Sequence, residues 1–120
     1  MRRFENTILH SPTDLVRYLG CAHATALDLC ALEAPEDTPE RAADDALNEL
    51  VQKAGLDHEE AFRTQLAGEG ELVEIEATQS LQRRAAATIA AMKDGARAIY
   101  QATFLQPPWH GFADFLLRVE

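Results

Sequence analysis

The chain has 120 residues, enough for one domain with one modest hydrophobic core. Hydrophobic residues make up 47% of it and charged residues 26%, a balance that excludes a disordered chain, a collagen-like chain and a disulfide-rich scaffold. Its 20 acidic residues outnumber its 11 lysines and arginines, so the formal net charge is −9. A nucleic-acid role would therefore depend on metal ions, on a local basic strip or on chain outside these residues, because bulk positive charge is absent.

The N-terminal segment and the cysteines indicate a soluble, cytoplasmic protein without a membrane segment. Residues 1–10 contain no apolar stretch of the kind found in signal peptides, and no segment approaches the roughly 18 apolar residues of a membrane helix. Cys21 and Cys30 lack the CxxC spacing of redox and metal motifs. We interpret both as buried apolar side chains of a protein in a reducing compartment.

Two helices are predicted within residues 11–33. The sequence SPTD at positions 11–14 is a strong helix start, because it supplies a capping serine, a proline for the first turn and an acid at the positive end of the helix dipole. Gly20 is expected to interrupt this helix before a second one over residues 22–32. The prolines and acids of residues 34–40 predict a loop.

The middle of the chain is predicted to form a long helix followed by a strand. Apolar residues at helical spacing favour a helix from Pro39 to about Leu66, with a bend or a close approach at Gly55. Polar and apolar residues then alternate over residues 71–76, which predicts the first strand.

A helix and a hairpin are predicted for the last third of the chain. Ser80 should cap a helix over residues 81–92, which Asp94-Gly95 ends. Residues 98–105 and 109–119 read as strands joined by a turn at 106–108, and strands joined this tightly form an antiparallel hairpin.

These elements predict an α/β (α+β) fold in one domain covering residues 1–120, with N-terminal helices, a strand, a helix and a β-hairpin. The sequence stops within a strand pattern at residues 115–120, so the sheet is expected to be incomplete. Either another chain completes the sheet, or these residues are a fragment of something longer.

Asp114 is the first candidate functional residue. It lies within the apolar run FADFLL, and strand periodicity places it on the same face as Phe112 and Leu116. A carboxylate in such a run is costly to bury unless a cation or hydrogen-bond donors meet it. Two interpretations stay open: a solvent-facing acid at a strand edge, or a ligand of a hard metal such as Mg²⁺.

His58 is the second candidate, and it has a plain alternative. It precedes Glu59 and Glu60, but the HExxH pattern of zinc proteases is absent because position 62 is Phe62. A lone histidine on an amphipathic helix is more often a surface or core residue, and the two glutamates are interpreted as a solvated helix face. There is also no phosphate-binding GxxxxGK[ST] loop and no GxSxG elbow.

Three motifs in order resemble those of RecB-like nucleases of the PD-(D/E)XK class. SPTDL at 11–15 leading to Cys21 is similar to the family's N-terminal Ser-x-Ser-x-Leu helix. GLDHE at 55–59 is similar to its Gly…His helix, and GFADFL at 111–116 to its Gly-x-x-Asp strand. The resemblance runs from Ser11 to Glu120 and points to RecB family nucleases related to the CRISPR-associated RecB-like exonucleases.

The resemblance implies a restriction-endonuclease-like core and a catalytic Mg²⁺ or Mn²⁺ held by His58 and Asp114. The family's (D/E)-x-K strand should follow Asp114, and no such motif occurs up to Glu120. We therefore expect residues 1–120 to be the N-terminal portion of a nuclease domain, inactive by itself. Cys21 matches a cysteine that in some relatives binds a [4Fe–4S] cluster with three further cysteines, which only a longer chain could supply.

The expected function is a metal-dependent DNA nuclease, of exonuclease type, in DNA repair, recombination or defence. Arg83 and Arg84 are the candidate basic strip for DNA, although adjacent arginines are more often a solvated surface. The alternative is a non-catalytic domain that binds nucleic acid or protein on the same scaffold. An open sheet edge also predicts a homodimer, with uncovered apolar side chains including Ile99, Phe104, Phe112 and Phe115.

Overall fold

The computed structural model describes residues 1–119. In chain order its elements are β1 (Arg2–Phe4), β2 (Thr7–Leu9), α1 (Pro12–Gly20), α2 (Ala22–Glu33), a short 3₁₀ helix (Pro35–Asp37), α3 (Ala46–Glu69), β3 (Leu72–Glu74), α4 (Leu81–Lys93), β4 (Ala98–Gln106) and β5 (Trp109–Leu117). The architecture is α+β, as the sequence predicts. Within residues 1–119, none of the helices combines the length and the apolar character needed to cross a membrane.

The chain divides into two compact units. The first comprises Met1–Arg41 and Leu105–Gly111. The second comprises Ala42–Phe104 and the chain from Phe112 onward. The candidate residues His58 and Asp114 both belong to the second unit.

The first unit opens with a β-hairpin that the sequence analysis does not predict. Strands β1 and β2 are antiparallel, with Arg2 opposite Leu9 and Phe4 opposite Thr7. Glu5 in the turn adopts a left-handed φ of 51°, and Leu9 is fully buried. Strands of three residues are too short to show a reliable alternation, which is why the periodicity test overlooks them.

Helices α1 and α2 are separate, as predicted, and the break falls at Cys21, directly after Gly20. At the start of α1 the backbone N–H of Asp14 donates to the Ser11 hydroxyl at 3.2 Å, and the backbone N–H of Ser11 donates to the Asp14 carboxylate at 2.7 Å. This reciprocal pair is a capping box. Cys21 lies between the helices in an extended conformation and is exposed, so the interpretation of Cys21 as buried is wrong; Cys30 is partly buried.

Helix α3 begins later than the sequence predicts, at Ala46 rather than Pro39. The carboxylate of Asp45 accepts from the backbone N–H of Asn48 at 2.8 Å and caps the helix there. Gly55 lies within the continuous helix, and nothing lies within 4 Å of the position that a Cβ on it would take. The predicted bend or close approach at Gly55 is therefore wrong.

The second unit is built on the sheet order β3-β4-β5. Strand β3 runs parallel to β4, with Leu72 beside Ala98 and Glu74 beside Tyr100. Helix α4 makes the crossover between these two strands, and the Ser80 hydroxyl caps it by accepting from the backbone N–H of Arg83. Strands β4 and β5 are joined by a two-residue turn at Pro107–Pro108, whose peptide bond is cis, which confirms the predicted hairpin.

The core of this unit lies between α4 and the sheet. Its buried members are Ile75, Ala91, Ile99 and Ala102. Ile99 is only 2% exposed, so the expectation that it is uncovered is wrong, whereas Phe104 and Phe112 are 44% and 41% exposed.

Candidate functional site

An open cavity of about 530 Å³ lies between α3 and β5. Helix α3 and strand β5 supply its lining residues: Gln52, Gly55, Leu56, His58, Glu59, Phe62, Asp114 and Phe115. The two residues singled out by the sequence, His58 and Asp114, thus reach the same cavity from different elements. Gly55 lines it too, and the absence of a side chain there leaves the space open.

Helical periodicity explains how α3 presents this wall. Residues 52, 55, 56 and 59 follow the spacing of one helix face, so their side chains stand above one another along the helix. Phe62 extends this face by nearly one further turn. The ring of Phe62 meets the ring of Phe115 edge-on, with 4.8 Å between centroids. That aromatic contact holds α3 against β5 next to the polar side chains.

Glu59 is a site residue that the sequence analysis misses. Its Oε1 accepts from the Tyr100 hydroxyl at 2.7 Å and from Nε2 of Gln101 at 2.9 Å. It is partly buried, so its interpretation as part of a solvated helix face is wrong. That interpretation does hold for Glu60, which is exposed and pairs with Arg63 at 3.0 Å. The hydrogen bond to the Glu59 carboxylate, together with burial, raises the pKa of Tyr100.

Asp114 joins Glu59, Tyr100 and Gln101 in one hydrogen-bonded cluster, through the amide of Gln101. Nε2 of Gln101 donates to Oδ1 of Asp114 at 3.3 Å as well as to Glu59. One amide nitrogen therefore contacts two carboxylates, and their oxygens lie no farther apart than the two hydrogen-bond distances together. Asp114 is exposed, as in the plain interpretation of a strand-edge acid, and it also lines the cavity.

The backbone of β4 departs from a regular strand at Gln101. Its φ is 57°, in the left-handed region that non-glycine residues seldom occupy. Burial along β4 also loses its alternation, since Ala98 and Ile99 are buried, the next two residues are partly buried, and the two after them are buried again. Consecutive side chains of a regular strand point to opposite faces. Here Tyr100 and Gln101 both reach the carboxylate of Glu59.

The guanidinium of Arg63 lies near Tyr100 but pairs with a different carboxylate, that of Glu74. The guanidinium of Arg63 lies over the Tyr100 ring, 5.1 Å from its centroid, and donates to both carboxylate oxygens of Glu74 at 2.7 and 2.9 Å. It therefore stabilises the aromatic wall and the end of β3. The hydrogen bonds that reach Glu59 and Asp114 come from neutral donors, Tyr100 and Gln101.

The donor set at the cavity fits a hydrated hard cation. Across residues 1–119 no group of three or more His, Cys, Asp or Glu side chains is close enough to form a metal cage. Mg²⁺, however, is usually held by one or two carboxylates and keeps several waters. Two carboxylates that share one amide donor, beside a histidine and an open cavity, meet that requirement.

The other predicted site residues, Arg83, Arg84 and Cys21, do not line this cavity. The guanidinium of Arg84 stacks on the Phe112 ring at 4.6 Å and is partly buried, whereas Arg83 is exposed. The two arginines therefore do not form one solvated strip. Cys21 is exposed between α1 and α2, and with two cysteines in the sequence residues 1–120 do not supply the four thiolates of an iron–sulfur cluster.

Comparisons with protein families, with curated proteins and with solved structures find no match to this chain. The geometry of the cavity, together with the sequence motifs that meet there, is therefore the basis for assigning a function.

Proposed function

We propose that this chain carries the histidine and aspartate part of a metal-dependent DNA nuclease site of the PD-(D/E)XK class, on a restriction-endonuclease-like core. The observation that supports the proposal is the meeting of His58 and Asp114 at one open cavity, beside a second carboxylate from Glu59. The same two residues carry the helix and strand motifs of the resemblance.

In this proposal Glu59 and Asp114 would bind Mg²⁺ or Mn²⁺ directly, and His58, which lines the same cavity, would bind one of the waters that the ion keeps. Such a cation offsets phosphate charge and increases the acidity of water for attack on a phosphodiester. The two carboxylates keep their negative charge available, because neutral side chains donate to them. The rings of Phe62 and Phe115 contact each other edge-on and form an apolar part of the cavity wall. Arg83, which is exposed at the start of α4, is the side chain we assign to phosphate contact.

The proposal assigns cation binding, rather than hydrolysis, to residues 1–120. The acid-x-lysine pair of the class does not occur in this sequence, since positions 51 and 91, two before Lys53 and Lys93, are Val51 and Ala91. The lysine of that pair would stabilise the charge that develops on the phosphate in the transition state. Cleavage therefore requires an acid and a lysine that these residues lack.

Titration with Mn²⁺, followed by the loss of the free-ion electron paramagnetic resonance signal, tests the metal site. The wild-type chain should bind Mn²⁺, and Asp114→Asn and His58→Ala should each weaken binding by about tenfold or more, because the first removes a ligand and the second removes a contact to a water of the bound ion. Asp57→Asn is the matched control, since Asp57 neighbours His58 on α3 but does not line the cavity. Equal affinity in the wild type and both site variants would contradict the proposal.

An endpoint assay on linear and single-stranded DNA tests the assignment of chemistry. We expect no Mn²⁺-dependent cleavage by the 120-residue chain. Cleavage that requires Mn²⁺ and disappears in Asp114→Asn would show that residues 1–120 contain a complete catalytic set, and the part of the proposal that places hydrolysis outside them would be wrong.

A further inference from the structure

Glu59 and Asp114 come from different elements and carry like charges. Helix α3 presents one and strand β5 the other, and two ionised carboxylates at one cavity repel each other. A side chain that donates a hydrogen bond to both offsets this repulsion. Gln101 does so through a single nitrogen, at 2.9 Å from Glu59 Oε1 and 3.3 Å from Asp114 Oδ1.

The group that bridges the two carboxylates is a neutral amide and not a cation. A lysine or arginine at position 101 would hold the carboxylates together but would also cancel their charge and repel a second cation. A carboxamide donates hydrogen bonds and is neutral, so it fixes the spacing of the two carboxylates and leaves their charge intact. A neutral donor between two acids is therefore suited to a site that receives a cation.

The backbone conformation at Gln101 directs its amide toward the two carboxylates. Gln101 is held at φ 57°, which costs free energy for a residue with a Cβ. The hydroxyl of Thr103 donates to the Gln101 carbonyl at 3.2 Å, and the backbone N–H of Ile75 donates to the Tyr100 carbonyl at 3.1 Å, so the irregular segment keeps its hydrogen bonds. With a regular strand conformation, Tyr100 and Gln101 would face opposite sides of the sheet.

We propose that Gln101 is a positioning residue, which holds Glu59 and Asp114 at a spacing that one divalent cation can bridge. This inference rests on the metal site proposed above and adds to it a residue that supplies no ligand of its own. Residues that orient metal ligands through hydrogen bonds commonly change metal affinity by about 10–100-fold when they are removed.

The test compares Mn²⁺ affinity in the wild type, Gln101→Asn and Gln101→Leu. Asparagine accepts the left-handed conformation and keeps the amide, but it is one methylene shorter and cannot span both carboxylates. We expect both variants to bind Mn²⁺ about tenfold or more weakly, with the thermal unfolding midpoint of Gln101→Asn unchanged. Gln65→Asn is the control, because Gln65 on α3 also donates its amide to a carboxylate, Oε1 of Glu69 at 2.8 Å, but does not line the cavity; its affinity should equal that of the wild type.

The outcomes separate this inference from the proposed function. If the wild type binds Mn²⁺ through Asp114 and both Gln101 variants bind equally well, Gln101 has no positioning role and the metal site stands. Tighter binding by Gln101→Asn would show that the amide competes with the cation, which also overturns the inference. A wild-type chain that does not bind Mn²⁺ overturns both. If Gln101→Leu does not fold, Gln101→Asn decides the question.

Discussion

At the N-terminus of α1, Asp14 holds together three groups of the first unit. Its Oδ1 accepts from the N-terminal ammonium of Met1 at 2.7 Å, and its Oδ2 accepts from the backbone N–H and the hydroxyl of Ser11 at 2.7 and 2.8 Å. Burial alone would raise the pKa of this carboxyl. The ammonium and Ser11 outweigh burial, and the pKa falls from 3.8 to about 2.

The lowered pKa of Asp14 predicts a stability that depends on pH. A carboxyl with a depressed folded-state pKa stabilises the protein above its ordinary pKa of 3.8, and this contribution is lost as the pH falls through about 2. Asp14→Asn should lower the free energy of unfolding by about 2 kcal/mol at pH 7, because each pKa unit of the fall from 3.8 to about 2 is worth about 1.4 kcal/mol. Urea unfolding at several pH values measures the difference in unfolding free energy between the variant and the wild type. This difference should vanish as the pH approaches about 2. Asp37→Asn, an exposed acid, should follow the wild-type profile, and a pH-independent difference for Asp14→Asn would contradict the prediction.

The sequence could identify single residues only where a local pattern marks them. His58 and Asp114 stand in recognisable motifs, and Ser11 and Ser80 precede helices in the expected way. Gln101 has no such mark. Its importance comes from contacts with a helix 42 positions earlier in the chain and from a left-handed φ, and periodicity indicates neither.

Among the secondary-structure elements, α4 and β4 are linked by a buried pair of threonines. The Thr88 hydroxyl donates to the carbonyl of Arg84 at 3.0 Å and accepts from the backbone N–H of Thr103 at 2.8 Å. Thr88 is fully buried and Thr103 is 1% exposed. The hydroxyl thus satisfies a backbone donor of β4 close to the irregular segment at Gln101.

Removal of this hydroxyl should destabilise the second unit. Thr88→Val is nearly isosteric but leaves the N–H of Thr103 buried without an acceptor, so we expect the free energy of unfolding to fall by about 2 kcal/mol. Thr64→Val on α3 is the matched control. Its hydroxyl also donates to the preceding turn, at 2.9 Å to the carbonyl of Glu60, but it is exposed, so the loss should stay below about 0.5 kcal/mol. Equal losses in chemical denaturation would refute the structural role of Thr88.

The sequence predicts where a helix begins when one capping residue stands out, as at Ser11 and Ser80. It predicts the start of α3 wrongly, because several residues before Ala46 could begin the helix. Residues 42–46 continue the alanine-rich helical pattern, which places the predicted start of α3 too early. The observed start depends on which acid caps the helix, and Asp45 does so while the adjacent Asp44 contacts Gln52. Periodicity does not distinguish between neighbouring acids.

For the molecule as a whole, the sheet order places β5 at an edge. Its first residue, Trp109, pairs with His10 in a single bridge. Exposed apolar side chains lie along the hairpin: Phe104 at 44%, Phe112 at 41% and Leu117 at 45% exposed. An open edge with apolar side chains favours pairing with another strand.

We expect the chain to self-associate as a symmetric dimer through this edge, burying about 800 Å² on each partner. Light scattering over a dilution series should show the mass of two chains at high concentration and the mass of one at low concentration. Phe104→Glu should shift the transition to higher concentration, because it places a charge in the contact. Val16→Glu on α1, which replaces an exposed apolar residue outside the hairpin, is the control. A mass that stays at one chain at all concentrations would exclude the dimer.

Helix α3 is secured at one end only, which bears on the motion of the site. Every residue from Ala46 to His58 is exposed. The contacts that hold the helix lie beyond this point, at Phe62 on Phe115, at Arg63 on Glu74, and at the carbonyl of Leu66, which accepts from Arg97 at 2.6 Å. Solvent-exposed turns with few buried contacts open at low free energy, while anchored turns open only with the surrounding structure. His58 is the last residue of the exposed half of the helix, and Glu59 is the first of the anchored half. Thermal fraying of α3 from its N-terminus would therefore reach the imidazole of His58 before the carboxylate of Glu59.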